Sequence, residues 1–145
     1  MLSIVVPTFN TAAMTLHCCR SVLEAAPEAE VIVVDDGSTD RTAELLAGEV
    51  PSVRVIRRTT NGGFAAAANE GIRSATGEII LLLNSDAIVD RGAPAALLRA
   101  FASDPQLGIA SAQLFDPDGI PQWTGGRTPT LFWMFAAVTG LGRIT

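Results

Sequence analysis

Short apolar runs alternate along the chain with longer stretches whose apolar residues recur at helical spacing. LSIVVP (2–7) reads as a first strand. Residues 11–25, with Met14, Leu16, Val22 and Leu23, read as a helix. EVIVVDD (30–36), rich in β-branched residues, is a second strand. GSTD then offers Ser38 or Asp40 as the cap of a helix over 41–48. SVRVIRR (52–58) is a third strand, and NGG opens an Ala-rich helix over 64–74. EIILLLN (78–84) is a fourth strand, followed by a helix over 93–103. GIASAQLF (108–115) completes the set as a fifth strand, and DPDG (116–119) as a turn.

Strands that alternate with helices imply βαβ units and an α/β fold built on a parallel sheet with helices on both faces. Continuous apolar strands suit such double covering, and Ile79–Leu83 reads as buried on both faces. That run ends abruptly in Asn84-Ser85-Asp86, a carboxylate at the end of the most apolar strand. After residue 120 the pattern decays into Gly, Thr, Pro and aromatics, as in a chain cut short within its fold.

Composition narrows the function. The chain has 145 residues, 48% of them hydrophobic, and a mean hydropathy of +0.35, enough for a real core and incompatible with a disordered chain. The net charge is -5 and every cation is Arg, so the basic footprint of a nucleic-acid binder is absent. Cys18 and Cys19 are adjacent within a helix and point in different directions, which argues against a disulfide and for a reduced, cytoplasmic setting. The single histidine, His17, rules out a multi-histidine metal site. No signal peptide is visible. The apolar run 131–142 is too short to span a bilayer, which takes about 20 residues. It reads as a core helix or an interface, with a peripheral contact at the inner face of the membrane as the alternative.

In open parallel sheets, ligands bind beyond the carboxyl ends of the strands, beside the point where strand order reverses. Here each of the first four strand ends is polar: Pro7-Thr8-Phe9-Asn10, Asp35-Asp36-Gly37-Ser38, Arg57-Arg58 leading to Asn61-Gly62-Gly63, and Asn84-Ser85-Asp86. One such end means little, since Asp, Asn, Gly and Ser terminate strands for turn reasons alone. Four in succession, two with carboxylates, predict a site. No G-x-G-x-x-G follows the first strand, no Walker lysine can exist without Lys, and no G-x-S-x-G elbow is present. A nucleotidyltransferase would want a basic Gly-rich loop after the first strand, and a receiver domain a late Lys.

VVPTFN, VIVVDDGSTD, NGGFAAAANEGI and LLLNSD, in this order, resemble the nucleotide-binding half of family 2 glycosyltransferases, inverting enzymes with a Rossmann-like GT-A fold. The second pair looks most like the rhamnosyltransferase-like branch, which uses N-x-D where others have D-x-D. The resemblance covers residues 2 to about 119, making 1–119 a nucleotide-sugar-binding half and 120–145 the incomplete start of an acceptor-side region. It implies transfer of a sugar from a nucleotide-diphosphate donor to a saccharide or glycolipid acceptor hydroxyl, in cell-envelope polysaccharide or glycolipid assembly.

By the same resemblance, Pro7, Thr8 and Phe9 hold and stack the nucleobase. Asp36, with Asp35 as second choice, accepts a hydrogen bond from the base imide. Asn61 and Gly63 approach the nucleotide, glycine permitting close backbone contact. Asp86 matches the metal-binding acid, with Mg²⁺ or Mn²⁺ bridging to the diphosphate; its alternative role is to cap the segment that follows. Asn84 stands where the first acid of D-x-D would be, leaving one charged ligand, and together with Ser85 faces ribose or sugar. Ala68 occupies a position where the family often has Arg, and Arg57 and Arg58 read as a solvated strand end rather than phosphate ligands. The catalytic base is expected beyond Thr145, since Asp116 and Asp118 read as turn residues. A chain without that base would be a nucleotide-binding module lacking transfer activity, the alternative to an enzyme.

Overall fold

A computed structural model describes residues 1–122. The run 131–142, and with it the core-helix and membrane-contact expectations, lies outside the described residues. The elements are β1 (Leu2–Thr8), α1 (Ala12–Ala25), β2 (Glu30–Asp35), α2 (Thr42–Glu49), β3 (Arg54–Arg57), α3 (Phe64–Ser74), β4 (Ile79–Leu82) and α4 (Ala93–Ser103). Residues up to Ala110 form one compact unit, and a second begins at Ser111.

The sheet is wholly parallel, in the order β3-β2-β1-β4. The period of two along each strand sorts its side chains between the faces. Leu2, Ile4 and Val6 of β1, with Val31 and Val33 of β2, join Cys18, Cys19 and Val22 of α1 and Leu46 of α2 in one core. Ile32 and Val34 face the other way and pack with Ala67 of α3. Helices therefore cover both faces, as expected, and this is the mostly parallel Rossmann-like arrangement of the GT-A fold.

The approach of α3 depends on small residues. A Cβ on Gly71 would lie 2.3 Å from Val5 Cγ1 and 3.1 Å from Val34 Cγ2, so only glycine lets the helix sit this close. At the amino edge of the sheet a polar staple closes the structure. Glu30 Oε2 accepts from Ser3 Oγ (2.5 Å), Thr76 N (2.8 Å) and Thr76 Oγ1 (2.9 Å), tying β1, β2 and the α3–β4 connection together.

Two expectations fail. β4 is not buried on both faces: Ile80 and Leu82 are 38% and 41% exposed, alternating with half-buried Ile79 and Leu81. β4 is the sheet edge among the described residues, and α3 packs on β1 and β2 rather than over it. Nor do residues 108–115 form a strand: among the described residues the segment has no ladder partner, Ile109 is 88% exposed, and the one pairing there is an isolated bridge from Phe115 to Pro121. Hydrophobic content alone cannot make a strand without a partner for its amides. The DPDG turn does form, with Gly119 N donating to Asp116 O at 3.0 Å.

Candidate functional site at the carboxyl edge of the sheet

The order β3-β2-β1-β4 means that the chain moves from β1 to β2 on one side and returns to β4 on the other. The reversal lies between β1 and β4, where doubly wound sheets open a crevice at their carboxyl edge. The loops after β1, β2, β3 and β4 all leave from that edge, because every pair is parallel.

Hydrogen bonds join these loops in series. Asn10 adopts a left-handed backbone (φ 54°), which Asn tolerates better than most residues. Its amide donates to Ser38 Oγ at 2.9 Å, and its Oδ1 accepts from Thr39 N (2.9 Å) and Asp40 N (3.3 Å). Asp40 accepts from Ala12 N, Thr42 N and the Thr42 hydroxyl, serving both helix starts. The N-cap position of α2 is Arg41, and of the two residues expected to cap the helix Asp40 is the one whose carboxylate accepts from an amide of its first turn, Thr42 N at 3.0 Å. The Thr42 hydroxyl bond, followed by the Ala12 and Thr42 amides, holds its carboxyl below the ordinary range.

The loops after β2 and β3 meet at Asp36. Its carboxylate is buried and accepts from Arg58 Nη1 (2.6 Å), Gly62 N (3.1 Å to each oxygen) and Gly63 N (2.8 Å). Arg58 also pairs with Glu70 at 3.0 Å. Arg58 is therefore an organised part of the site and not the solvated strand end read from the sequence. A Cβ on Gly37 would lie 2.9 Å from Thr60 C, and one on Gly62 would meet Arg58 Nη1 at 2.7 Å. Close approach thus falls to Gly37 and Gly62. Gly63 has open space beside it, and its φ of +84° favours glycine. Asn61 is exposed, and its Oδ1 accepts from Gly63 N at 2.9 Å.

Asp35, adjacent to Asp36, is 1% exposed. Its Oδ1 accepts from Ser38 N at 2.9 Å, while Oδ2 is buried without a hydrogen bond, 3.8 Å from Arg57 Nε. A buried carboxylate oxygen left open is costly unless something supplies a donor. Of Pro7, Thr8 and Phe9, the first two are buried within β1, and the Thr8 hydroxyl is spent on Thr11 (2.8 Å) and Thr15 (2.7 Å). Phe9 is 43% exposed and is the one of the three whose side chain reaches solvent.

The loop after β4 reaches across the strand reversal. Ser85 Oγ lies 3.2 Å from Thr11 Oγ1, and Cys18 Sγ donates to Asn84 O at 3.6 Å. Burial first, then Cys19 and Asp86, pushes the Cys18 thiol up to about 12, so it stays neutral beneath the site. Asn84 and Asp86 are exposed and Ser85 is half-buried. Among the described residues no three His, Cys, Asp or Glu side chains cluster as a ready-made metal cage. The Asp86 carboxylate makes no hydrogen bond or ion pair there, which leaves both hard oxygens open. That donor set fits a Mg²⁺- or Mn²⁺-type ion that arrives with phosphate oxygens and water filling most of its shell.

The sequence profile of the family described as "Glycosyl transferase family 2" matches residues 3–140. This chain belongs to that family. It is 39% identical over 93 residues to the "Glycosyltransferase GlyG" of Streptococcus pneumoniae, covering 61% of this chain and 31% of that protein. It is 34% identical over 125 residues to the "Chondroitin synthase" of Pasteurella multocida, covering 82% of this chain and 13% of that one. Among solved structures, a mannosyltransferase of Pyrobaculum calidifontis in complex with GDP-Man and Mn²⁺ matches with a TM-score of 0.67 and 31% identity over 74% of this chain and 33% of that one. Residues 1–349 of Staphylococcus aureus TarS in complex with UDP-GlcNAc match with a TM-score of 0.64 and 27% identity, covering 70% of this chain and 31% of that one. The chain thus spans a third or less of the length of these relatives.

Proposed function

We propose that residues 1–119 form the donor-binding half of a metal-assisted, inverting glycosyltransferase, and that the carboxyl-edge loops hold a nucleoside diphosphate sugar. The observation that carries this reading is the series of hydrogen bonds joining all four loops: Ser85 to Thr11, Asn10 to Ser38, and Asp36 to Gly62 and Gly63. The relatives solved in complex with GDP-Man and Mn²⁺ and with UDP-GlcNAc support the ligand class.

Each residue has a role in this reading. Phe9 stacks on the nucleobase with its exposed ring. Asp36 accepts the base imide N–H: the Gly62 amide is forked over both its oxygens, so an incoming donor can take over one branch of the fork. The open Oδ2 of Asp35 is the second acceptor. The Asn61–Gly63 backbone borders the nucleotide, while Pro7 and Thr8 shape the floor from within β1. Asn84 and Ser85 face ribose or sugar, and Asp86 holds the cation. When bound, that ion supplies positive charge against the departing diphosphate. A general base takes the proton of an acceptor hydroxyl as its oxygen attacks the anomeric carbon from the opposite side, so the C–O bond to the diphosphate breaks as the new glycosidic bond forms with inversion. The chain is placed in the rhamnosyltransferase-like branch on its NSD motif, in the cytoplasm, acting on an envelope saccharide or glycolipid. No helix among the described residues is long and apolar enough to cross a membrane.

A second reading, nucleotide binding without transfer, draws on Asp116. Its Oδ1 accepts from Asp118 N (3.1 Å) and Ile120 N (2.8 Å), occupying it in a turn rather than at an acceptor. Titrating uridine, thymidine and guanosine diphosphates with and without Mn²⁺, then assaying donor consumption with acceptor saccharides, separates the two. Metal-dependent binding of one diphosphate with transfer supports the enzyme. Binding without transfer supports the module, and no binding of any diphosphate contradicts both.

A further inference from the structure

We infer that Thr11 is a positioning residue that fixes the Asn84–Asp86 loop across the strand reversal, and so sets how strongly a divalent cation assists nucleotide binding. The inference rests on the donor-site reading above. Thr11 stands at the N-cap of α1, yet its side chain caps nothing there. The Ala12 amide is taken by Asp40, and the Thr11 carbonyl serves the helix by accepting from Thr15 N. The hydroxyl is turned instead into a cluster: 2.8 Å from Thr8 Oγ1, 3.1 Å from Thr15 Oγ1 and 3.2 Å from Ser85 Oγ.

Thr8 and Thr15 are buried and fixed by β1 and α1, so the cluster is anchored on one side and reaches a loop on the other. Counting protons shows why Thr11 is its pivot. Thr15 donates to Thr11 O at 2.9 Å, leaving the protons of Thr8, Thr11 and Ser85 for the four remaining hydroxyl contacts. Three of those four contacts involve Thr11, which can donate to Ser85 or accept from it as the loop requires. The other tethers of this loop, Cys18 to Asn84 O and Ser21 Oγ to Val89 N (3.0 Å), grip backbone at its two ends. Thr11 grips the residue next to Asp86, whose exposed carboxylate has no partner of its own among the described residues.

Thr11→Val keeps the shape and removes the hydroxyl, Thr11→Ser restores it, and Ser85→Ala removes the partner from the loop side. Two readouts are compared in the full chain. In ligand-free protein, Thr11→Val and Ser85→Ala raise amide hydrogen exchange over residues 84–89 and leave β1 and β2 unchanged, while Thr11→Ser resembles wild type. In calorimetry with guanosine or uridine diphosphate, the ratio of Kd without Mn²⁺ to Kd with Mn²⁺ falls by about three- to tenfold in Thr11→Val, the scale of one hydrogen bond. In Thr11→Val, Kd without Mn²⁺ stays within about twofold, and the rise in exchange over residues 84–89 in the double variant is no larger than in either single one. Unchanged exchange at 84–89 overturns the proposal whatever the ligand proves to be. So does a Thr11→Ser defect as large as that of Thr11→Val, or an equal loss with and without Mn²⁺. Raised exchange together with a wild type that gains nothing from Mn²⁺ locates the failure in the donor-site reading, and the cation claim falls with it.

Discussion

Individual residues carry much of the architecture, and the sequence disclosed them unevenly. Asp36 and Asp86 stood out because carboxylates at the ends of apolar strands are conspicuous, and parallel topology sends such ends to one edge. The Arg58 pairing with Asp36 was not legible, because it joins two loops whose separation in sequence says nothing about their meeting. Gly71 was equally silent: the NEG stretch of α3 gives no sign that Val5 lies beneath it. Gly71→Ala gains about 1 kcal/mol of helix propensity. Against this stands overpacking, typically about 1–3 kcal/mol, made severe by a Cβ 2.3 Å from a methyl. Urea denaturation should show a net loss of about 1–2 kcal/mol. The Cys18 thiol, lifted from an ordinary value of 9.0 to about 12, is neutral at physiological pH. Folding holds that proton more tightly than the unfolded chain does, so the contribution is complete below pH 9 and is lost as pH rises towards 12. An alkylating thiol reagent at pH 8 should label Cys18 only after denaturant unfolds the chain, and rapid labelling of native protein would refute this burial.

At the scale of elements, helices were the easier reading. The 64–74 and 93–103 helices fall where the sequence placed them, since apolar spacing is a local property. Strands depend on partners, and here the reading failed twice. Ile79–Leu82 forms the expected strand, but its covering was decided by where α3 came to rest. Residues 108–115 have strand-like composition and no ladder to join among the described residues. The staple at the amino edge was also illegible, because Ser3, Glu30 and Thr76 are distant in sequence and individually ordinary. Glu30 is held below its ordinary value of 4.5, chiefly by the Ser3 hydroxyl and next by the Thr76 amide. A carboxylate depressed in the folded state contributes stability above its unfolded value and loses it as pH falls through the folded one. Stability should therefore drop with acidification below about pH 4.5, and Glu30→Gln should flatten that part of the profile while lowering stability at pH 7. An identical acid limb in the variant, measured by thermal melting across pH, would remove the staple from the account.

At the scale of the molecule, a parallel four-stranded sheet gathers loops from four strands along one rim, and membership of glycosyl transferase family 2 gives that rim its chemical setting. The rim was foreseeable because topology alone dictates it. Its internal wiring through Asn10, Thr11 and Arg58 was not, because hydrogen bonds between loops leave no periodic trace. The central claim is that Asp86 brings a divalent cation to a nucleotide held by the other loops. Calorimetric titration of guanosine or uridine diphosphate, with and without Mn²⁺, in wild type and Asp86→Ala tests it most directly. The wild type should bind at least about tenfold more tightly with Mn²⁺, the lower bound for disturbing even an outer partner of a metal site. Asp86→Ala should bind with the metal-free affinity in both conditions. A Mn²⁺ enhancement that survives intact in Asp86→Ala would contradict the account.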